Sequence, residues 1–164
     1  MDILDVFNAR KSIRKFKEQS VTDSDIEKIV KAASLAPTAR NVQPWEFVVV
    51  KDRNCLIELA EIVSPNGAFI KQTGACIVVF CQNTKYYLED GCAATTQAML
   101  CASQLNIGSC WVAGDKKDYC EKVKALLGVP EEFKLVSLIA LGTPDESPNP
   151  PKRDIRKMIH KERF

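Results

Sequence analysis

The sequence predicts a mixed α/β fold in which helices pack against a small central sheet. Short apolar runs typical of buried strands alternate along the chain with longer stretches of helical period. Such alternation is characteristic of layered α/β architectures. The chain has 164 residues, of which 46% are hydrophobic, so a single domain with a proper core is expected over residues 1–164.

The first part of the chain predicts two helices and a polar loop. Residues 2–9 repeat apolar side chains with helical spacing. Thr22 is expected to cap a second helix, which ends at Ala36 because Pro37 cannot continue it. A polar loop then occupies residues 38–44.

The remainder of the chain alternates strands with helices. Strands are predicted at 45–51, 75–82, 108–113 and 133–141. Helices are predicted at 52–63, 86–105 and 117–127. The helix at 86–105 is rich in alanine and nearly free of charge after Asp90, so we expect it to be buried on most sides, as in the core of an oligomer. A proline-rich tail follows, and its last part, 152–163, is basic.

Charge and hydropathy exclude several classes of protein. A net charge of +2 is too small for a general nucleic-acid binder. Residues 23–41 also fit a helix-turn-helix with Arg40 as a contact, but acidic residues in its first helix disfavour that alternative. No apolar run reaches the roughly 18 residues of a spanning helix. The N-terminus lacks the pattern of a signal peptide, so a cytoplasmic location is expected.

The seven cysteines do not predict a metal site. None forms a C-x-x-C pair, and His160 is the only histidine, so no zinc or cluster-binding pattern is present and no metal is expected. We interpret the cysteines as small apolar residues of a reducing compartment. A redox role for one of them is the alternative.

The segment RKSIRKF, residues 10–16, carries four cations and one hydroxyl. Guanidinium groups bind phosphate oxygens two at a time, and Ser12 can add a further donor. The segment therefore predicts a site for a small dianion such as a phosphate monoester, with Arg10, Lys11 and Arg14 as its cations. The alternative is a solvated turn after the first helix.

Two further segments could complete a binding site. The loop at 36–45 places Thr, Arg, Asn and Gln side chains between two prolines, which suits the recognition of a polar ring edge. Its alternative is a simple connector. Lys152 and Arg153 supply a third basic group, or else belong to a charged, mobile terminus.

Four segments together resemble the FMN-dependent nitroreductase family. They are RKSIRKF, APTARNVQPWEFVVV, GCAATTQAMLCASQLNIGSCWVAG and LIALGTPDESPNPPKR, and in this order they span nearly the whole chain. The resemblance implies an α+β fold with a three-layer α/β/α core around a mixed or antiparallel sheet. It also implies a homodimer with two FMN sites at its interface, in which residues 145–164 form an exchanged arm that embraces the partner.

The resemblance also implies roles for individual residues. Arg10 and Ser12, with Lys11 between them, would contact the phosphate and ribityl chain, and Arg14 would lie near the pyrimidine edge of the flavin. Pro37, Thr38, Ala39 and Asn41 would approach FMN from the other subunit. Gln43 would hold the loop or meet the flavin edge. Ala113 and Gly114 would present backbone to the flavin face, and Lys152 or Arg153 would complete the phosphate site.

The implied activity is electron transfer from NAD(P)H through FMN to a nitroaromatic, quinone or related small acceptor, by a ping-pong mechanism. No acid–base pair or nucleophile stands out in the sequence, which fits chemistry performed by a flavin. Two alternatives stay open: a non-catalytic FMN-binding or storage protein, and a reductase that uses a protein donor such as ferredoxin.

Overall fold

The computed structural model describes residues 2–164 and contains a single antiparallel sheet of four strands flanked by helices. The strands are β1 (Trp45–Val50), β2 (Ala75–Gln82), β3 (Gly108–Ala113) and β4 (Phe133–Gly142). The α-helices are α1 (Ile3–Ala9), α2 (Asp23–Ser34), α3 (Arg53–Ile62), α4 (Tyr87–Gln104) and α5 (Cys120–Leu127). Short 3₁₀ helices occupy Ala39–Asn41, Ala68–Gln72 and Ile155–Lys157.

The sheet has the strand order β1-β2-β4-β3, with every neighbouring pair antiparallel. Of the two possibilities predicted, mixed or antiparallel, the structure shows the antiparallel sheet. The last strand in sequence, β4, lies in the interior of the sheet, and all but the first two of its residues are buried. This explains why its sequence is a nearly continuous apolar run.

Helices cover both faces of the sheet, so the predicted three-layer α/β/α architecture is confirmed. Along β2, Cys76, Val78 and Phe80 pack in the cluster on the side of α3 and α5, whereas Ile77 and Val79 pack in the cluster on the side of α2 and α4. Successive residues of a strand point to opposite faces. One strand therefore supplies apolar side chains to both halves of the core.

The predicted element boundaries need small corrections. The second helix ends at Ser34 instead of residue 36. The fifth begins at Cys120 instead of residue 117, because the preceding residues form a turn in which Lys116 has a left-handed φ of 58°. The segment predicted to be only a turn and loop before β2 contains the 3₁₀ helix Ala68–Gln72.

Two helices carry apolar surface that the single chain leaves uncovered. In α1 only Val6 is buried, whereas Ile3, Leu4 and Phe7 are exposed. In α4 one face is buried and the remaining apolar positions are mostly half-buried, so this helix is less enclosed within one chain than its composition predicts. Nowhere in residues 2–164 is there a helix with the length and apolar character needed to cross a membrane.

The C-terminal segment 147–164 has no regular structure apart from its 3₁₀ turn, and most of its residues are exposed. Ile155, Met158, Ile159 and Phe164 are among the exposed large apolar residues. Its sequence is therefore compatible with the predicted arm, whose position on a partner stays a prediction.

Candidate cofactor-binding site

The basic segment 10–16 is fixed to the edge of the sheet by backbone hydrogen bonds. The amide of Ile13 donates to the carbonyl of Ser109 in β3 at 2.9 Å. The amide of Lys17 donates to the carbonyl of Thr143 at 2.9 Å, and the amide of Asp145 donates to the carbonyl of Lys15 at 2.9 Å. Ile13 is thereby buried, and the cationic side chains around it are at least partly accessible.

Glu146 joins the basic segment to the chain beyond β4. Its Oε1 accepts hydrogen bonds from the amide of Arg14 at 2.5 Å and from the amide of Lys15 at 3.1 Å. The Arg14 amide bond is the main cause that lowers the pKa of this carboxyl below its usual range. Glu146 is therefore ionised near neutral pH, and it holds the backbone of the basic segment in a defined position.

A cavity of about 220 Å³ opens beside the first residues of this segment. Its polar lining consists of two cations, three serines, an asparagine and a carboxylate: Arg10, Lys11, Ser103, Ser109, Ser147, Asn106 and Glu146. Two cations with several hydroxyl groups form a donor set that suits a phosphate monoester. The volume is smaller than the roughly 300–1,000 Å³ typical of ligand pockets, so the cavity of one chain has room for a phosphate group but not for a whole flavin nucleotide.

The structure separates the four predicted residues of this segment. Arg10 and Lys11 line the cavity, whereas Ser12 and Arg14 do not. Ser12 lies beside Cys110 and acts to lower the pKa of that buried thiol, while burial, the larger effect, raises it. The Arg14 guanidinium lies beyond the cavity wall, where Nη1 reaches the Ser12 carbonyl at 3.5 Å. A distinct role for Arg14, away from the phosphate, is compatible with this arrangement.

The loop after α2 is fastened to α4 by a buried carboxylate that the sequence analysis did not single out. The Thr38 hydroxyl donates to Oδ2 of Asp90 at 2.8 Å, and the amide of Ala39 donates to Oδ1 at 3.2 Å. The amide of Gln43 in turn donates to the Thr38 hydroxyl at 3.1 Å. Asp90 is only 6% exposed. The one signal in the sequence is that Asp90 is the last charged residue before a long, largely apolar stretch.

This loop has an unusual backbone for residues other than glycine. Arg40, Asn41 and Gln43 have left-handed φ values of 55°, 55° and 52°. Each such residue costs about 1–2 kcal/mol relative to ordinary backbone, and such strain concentrates at functional sites. The side-chain amide of Gln43 donates to Oδ1 of Asn41 at 3.1 Å. Gln43 therefore supports the loop, which is one of its two predicted roles, and the contact of Asn41 with a flavin stays a prediction. Pro37 precedes them and is exposed.

Three side chains hold the end of β3, at Ala113, and the turn that begins at Gly114. Tyr119 donates its hydroxyl to the Ala113 carbonyl, and the thiol of Cys120 contacts the Gly114 carbonyl at 2.7 Å. The third is Tyr87, whose hydroxyl donates to Asp115 at 2.6 Å, and this bond is the main cause that raises the pKa of Tyr87 to about 12.

Glycine at position 114 is explained by packing within the chain. A Cβ there would lie 2.6 Å from Cγ of Leu135 and 2.8 Å from the carbonyl carbon of Val136. The close approach that requires glycine is therefore to β4, while the predicted contact of Ala113 and Gly114 with a flavin stays a prediction. Ala113 itself is exposed at the end of its strand.

Lys152 and Arg153 are exposed and do not line the cavity beside Arg10. Within residues 2–164 neither takes part in an ion pair. The predicted site residues thus occupy four places in one chain: the sheet edge beside Ser109, the loop on α4, the end of β3 with the turn after it, and the tail.

All seven cysteines are free thiols, three buried and four half-buried, and burial raises the pKa of each. A raised pKa disfavours the reactive thiolate. Among residues 2–164 no group of three or more histidine, cysteine or acidic side chains is placed to hold a metal ion.

Comparison with known proteins identifies relatives over the whole length. The family model described as the nitroreductase family matches residues 8–79 and 82–143. A protein of Archaeoglobus fulgidus, named as a candidate NADH dehydrogenase/NAD(P)H nitroreductase, is 35% identical over 99% of both chains. The crystal structure of a Parabacteroides distasonis protein with the same name has a TM-score of 0.93 at 30% identity, over 99% of this chain and 98% of that one.

Two solved structures connect this fold with FMN. The FMN-dependent nitroreductase of Clostridium difficile has a TM-score of 0.90 at 30% identity, over 98% of this chain and 99% of its own. An iodotyrosine deiodinase bound to FMN and 3-iodo-L-tyrosine has a TM-score of 0.87 over 99% of this chain, and its 21% identity shows the shared fold alone. The predicted resemblance is confirmed, and FMN is confirmed as the cofactor used by proteins of this kind.

Proposed function

Since the chain belongs to the nitroreductase family, we propose that it is an FMN-dependent oxidoreductase that transfers electrons from NAD(P)H to a nitroaromatic, quinone or related small acceptor. The observation that carries the proposal is the cavity at the edge of β3, where Arg10 and Lys11 converge with serine hydroxyls. The flavin, when bound, supplies the hydride and electron transfer, and the protein supplies position and charge.

The charge of the cavity suits the phosphate of FMN. This phosphate carries about −1.5 to −2 charges at neutral pH. Arg10 and Lys11 attract it, although the Glu146 carboxylate also lines the cavity and offsets one of their two charges. Lys152 or Arg153 from the arm would add the further cation that balances a doubly charged phosphate. Two backbone amides donate to Oε1 of Glu146. The backbone that presents Arg10 and Lys11 is fixed before the cofactor arrives, which reduces the entropic cost of binding.

Arg14 would act on the flavin ring instead of the phosphate. It lies three residues beyond Lys11, and its amide donates to the Glu146 carboxylate. A guanidinium beside the pyrimidine edge favours the negative charge that this edge gains on reduction. Arg14 would therefore raise the reduction potential of the flavin without taking part in proton transfer.

The proposal includes a homodimer in which each chain completes the other's site. The cavity of one chain is too small for the whole nucleotide, and the loop of Thr38, Ala39 and Asn41 is fastened to α4 away from it. Apolar residues of α1 and of the arm are uncovered in the single chain; for example, Ile3 is 62% exposed and Ile155 is 64% exposed. Burial of these surfaces against a second copy would stabilise the dimer. The arm is residues 145–164 of one nitroreductase-like domain.

An anaerobic spectrum of the purified protein with FMN, before and after addition of NADPH or NADH, tests the proposed function. Bleaching of the flavin band, followed by its return when a nitroaromatic or quinone is added, is the expected result and also demonstrates the ping-pong order. A flavin band that resists both nucleotides but bleaches with dithionite would assign the protein to flavin storage or to a protein donor. Absence of FMN binding would contradict the proposal altogether.

A further inference from the structure

A second cavity, of about 320 Å³, lies between the loop after α2 and the start of α4. The loop contributes Ala39, Arg40 and Val42. The start of α4 and the residues before it contribute Thr84, Lys85, Tyr86 and Asp90. Residues 84–86 are not among the predicted cofactor-binding residues, so this cavity brings a new surface beside the loop.

The cavity combines an apolar wall with two available cations. Val42 and Tyr86 are 50% and 42% exposed, and Lys85 Nζ lies 5.1 Å from the centre of the Tyr86 ring. Neither Arg40 nor Lys85 forms an ion pair with any carboxylate of residues 2–164. Both side chains are therefore available to a ligand.

Asp90 also lines the cavity, so its lining carries two cations and one carboxylate, with a net formal charge of about +1. Asp90 has both oxygens occupied, one by the Thr38 hydroxyl and the other by the Ala39 amide. Glu89 is in the first turn of α4 and does not line the cavity. The start of this 18-residue helix has no side-chain cap, and Glu89 and Asp90 in its first turn offset the positive end of the helix dipole, so the positive charge of the cavity comes from Arg40 and Lys85.

We propose that this cavity binds the electron acceptor and selects an aromatic ring that carries an anionic substituent. The Tyr86 ring and Val42 provide surface for the ring, and Arg40 and Lys85 bind the anionic group. The inference rests on the proposed function in one respect. Ala39, which lines the cavity, belongs to the loop that would approach the flavin, so a ligand in the cavity would lie near the flavin.

The size of the cavity favours a single substituted ring. Its volume is at the lower end of the roughly 300–1,000 Å³ of small-molecule sites, which is too small for a dinucleotide. Arg40 has a left-handed φ of 55°. The Thr38–Asp90 hydrogen bond fixes the loop backbone from which the Arg40 side chain extends. Selection by charge therefore comes from a preorganised loop and not from a flexible one.

Calorimetric titration of the oxidised protein, loaded with FMN and without an electron donor, tests this selection. The two ligands are 4-nitrobenzoate and 4-nitrobenzamide, which have similar shape and differ in charge. We expect Kd for nitrobenzoate to be lower by about fivefold or more, the size expected from two partly exposed charge pairs. In the double variant Arg40→Gln, Lys85→Gln the ratio of the two Kd values should fall to near one.

A matched control and a second ligand class make the result specific. Lys122→Gln changes an exposed lysine of α5, on the opposite face of the sheet, and should retain the wild-type ratio. If the double variant instead raises KM for NADPH more than for NADH and leaves the nitrobenzoate ratio unchanged, the cations serve the nucleotide phosphate and the proposal is overturned. Equal affinity of the wild-type protein for both nitro compounds would also overturn it.

Flavin bleaching by NAD(P)H, recorded on the same preparations, separates this proposal from the proposed function. Bleaching without any charge preference would leave the oxidoreductase in place and remove the anion-selective site. A charge preference that depends on Arg40 and Lys85 in a protein without bleaching, or without bound FMN, would support the site and contradict the function.

Discussion

Two cationic segments are predicted to meet the same phosphate, and the chain holds them in opposite ways. The segment 10–16 is fixed by two backbone hydrogen bonds, to β3 and to Asp145, by a third that its neighbour Lys17 makes to Thr143, and by the Glu146 carboxylate. Lys152 and Arg153 lie in an exposed tail, where the side-chain hydrogen bonds are local ones between Asp154 and Arg156. One segment is held by contacts within its own chain, whereas the other is exposed and would gain further contacts only from a partner.

The two segments are therefore expected to contribute to FMN binding in different ways. A fixed cation contributes its full interaction to the cofactor, because little conformational entropy is lost on binding. A mobile cation first loses backbone entropy of about 1–2 kcal/mol per residue ordered, and only a partner surface can offset that loss. The sheet edge should therefore govern FMN affinity in each chain, while the arm should link affinity to assembly.

The largest effect is expected from removal of residues 152–164. The sheet and its covering helices remain complete, so the shortened chain should fold. It should lose the dimer and bind FMN about 100-fold or more weakly, since charge-assisted contacts of about 1.5–3 kcal/mol disappear together with the second subunit's loop. Sedimentation and FMN titration would measure both. A shortened protein that keeps wild-type affinity and assembly would show that the arm has no part in the site.

Arg10→Ala should weaken FMN binding by about 1.5–3 kcal/mol, because it removes a charge-assisted contact to the phosphate. The free energy of unfolding without FMN should hardly change, since Arg10 is part-exposed and ends α1. Lys122→Ala is the control for the loss of one positive charge. Unchanged quenching of FMN fluorescence on titration of the variant would remove Arg10 from the phosphate site.

Thr38→Val and Asp90→Asn test whether the loop on α4 is as preorganised as the sheet edge. Each single change should weaken FMN binding by about 1 kcal/mol through loss of the hydrogen bond that fixes the loop. The double variant should cost little more than either single change, with a coupling energy of about 1 kcal/mol, because the two side chains form one contact. Strictly additive effects on FMN affinity would mean that the Thr38–Asp90 bond does not position the loop.

The smallest effect is expected for Glu146→Gln, measured as the pH dependence of stability. Hydrogen bonds from the Arg14 and Lys15 amides lower the pKa of Glu146 in the folded chain below its usual 4.5. Its stabilisation is therefore complete above about pH 4.5 and is lost as pH falls through the folded pKa. The urea midpoint of the wild-type protein should exceed that of the variant at pH 7, and the gap should close as the pH falls below 4.5 and through the folded pKa. A gap that persists at low pH would contradict the role of this carboxylate.

Most of the fold could be predicted from the sequence, because helical and strand periods change clearly along the chain. Pro37 cannot continue α2, and the Asp52 side chain caps the start of α3, so both boundaries follow from simple physical rules. The order of the strands could not be predicted, because a buried strand such as β4 has the same apolar pattern at any interior position. The start of α5 was misplaced because the left-handed turn at Lys116 has no sequence signal such as glycine.

The candidate site was predictable as a set of segments but not as an arrangement. Cationic Arg10 and Lys11 are evident in the sequence, and the structure places them at one cavity. The pairing of Thr38 with Asp90 joins residues that are 52 positions apart, and a contact of that kind depends on tertiary packing. The second cavity, with Lys85 and Tyr86, depends on the same packing and could not be inferred from local pattern.

Sedimentation velocity, recorded at both the protein and the flavin absorbance over a range of protein concentrations, tests whether each FMN site needs two chains. If each FMN site needs two chains, all bound flavin should sediment with the dimer, at two FMN per dimer, and should be released as dilution produces monomer. Flavin that sediments stoichiometrically with a monomer would contradict a site shared between the sheet edge of one chain and the loop and arm of another.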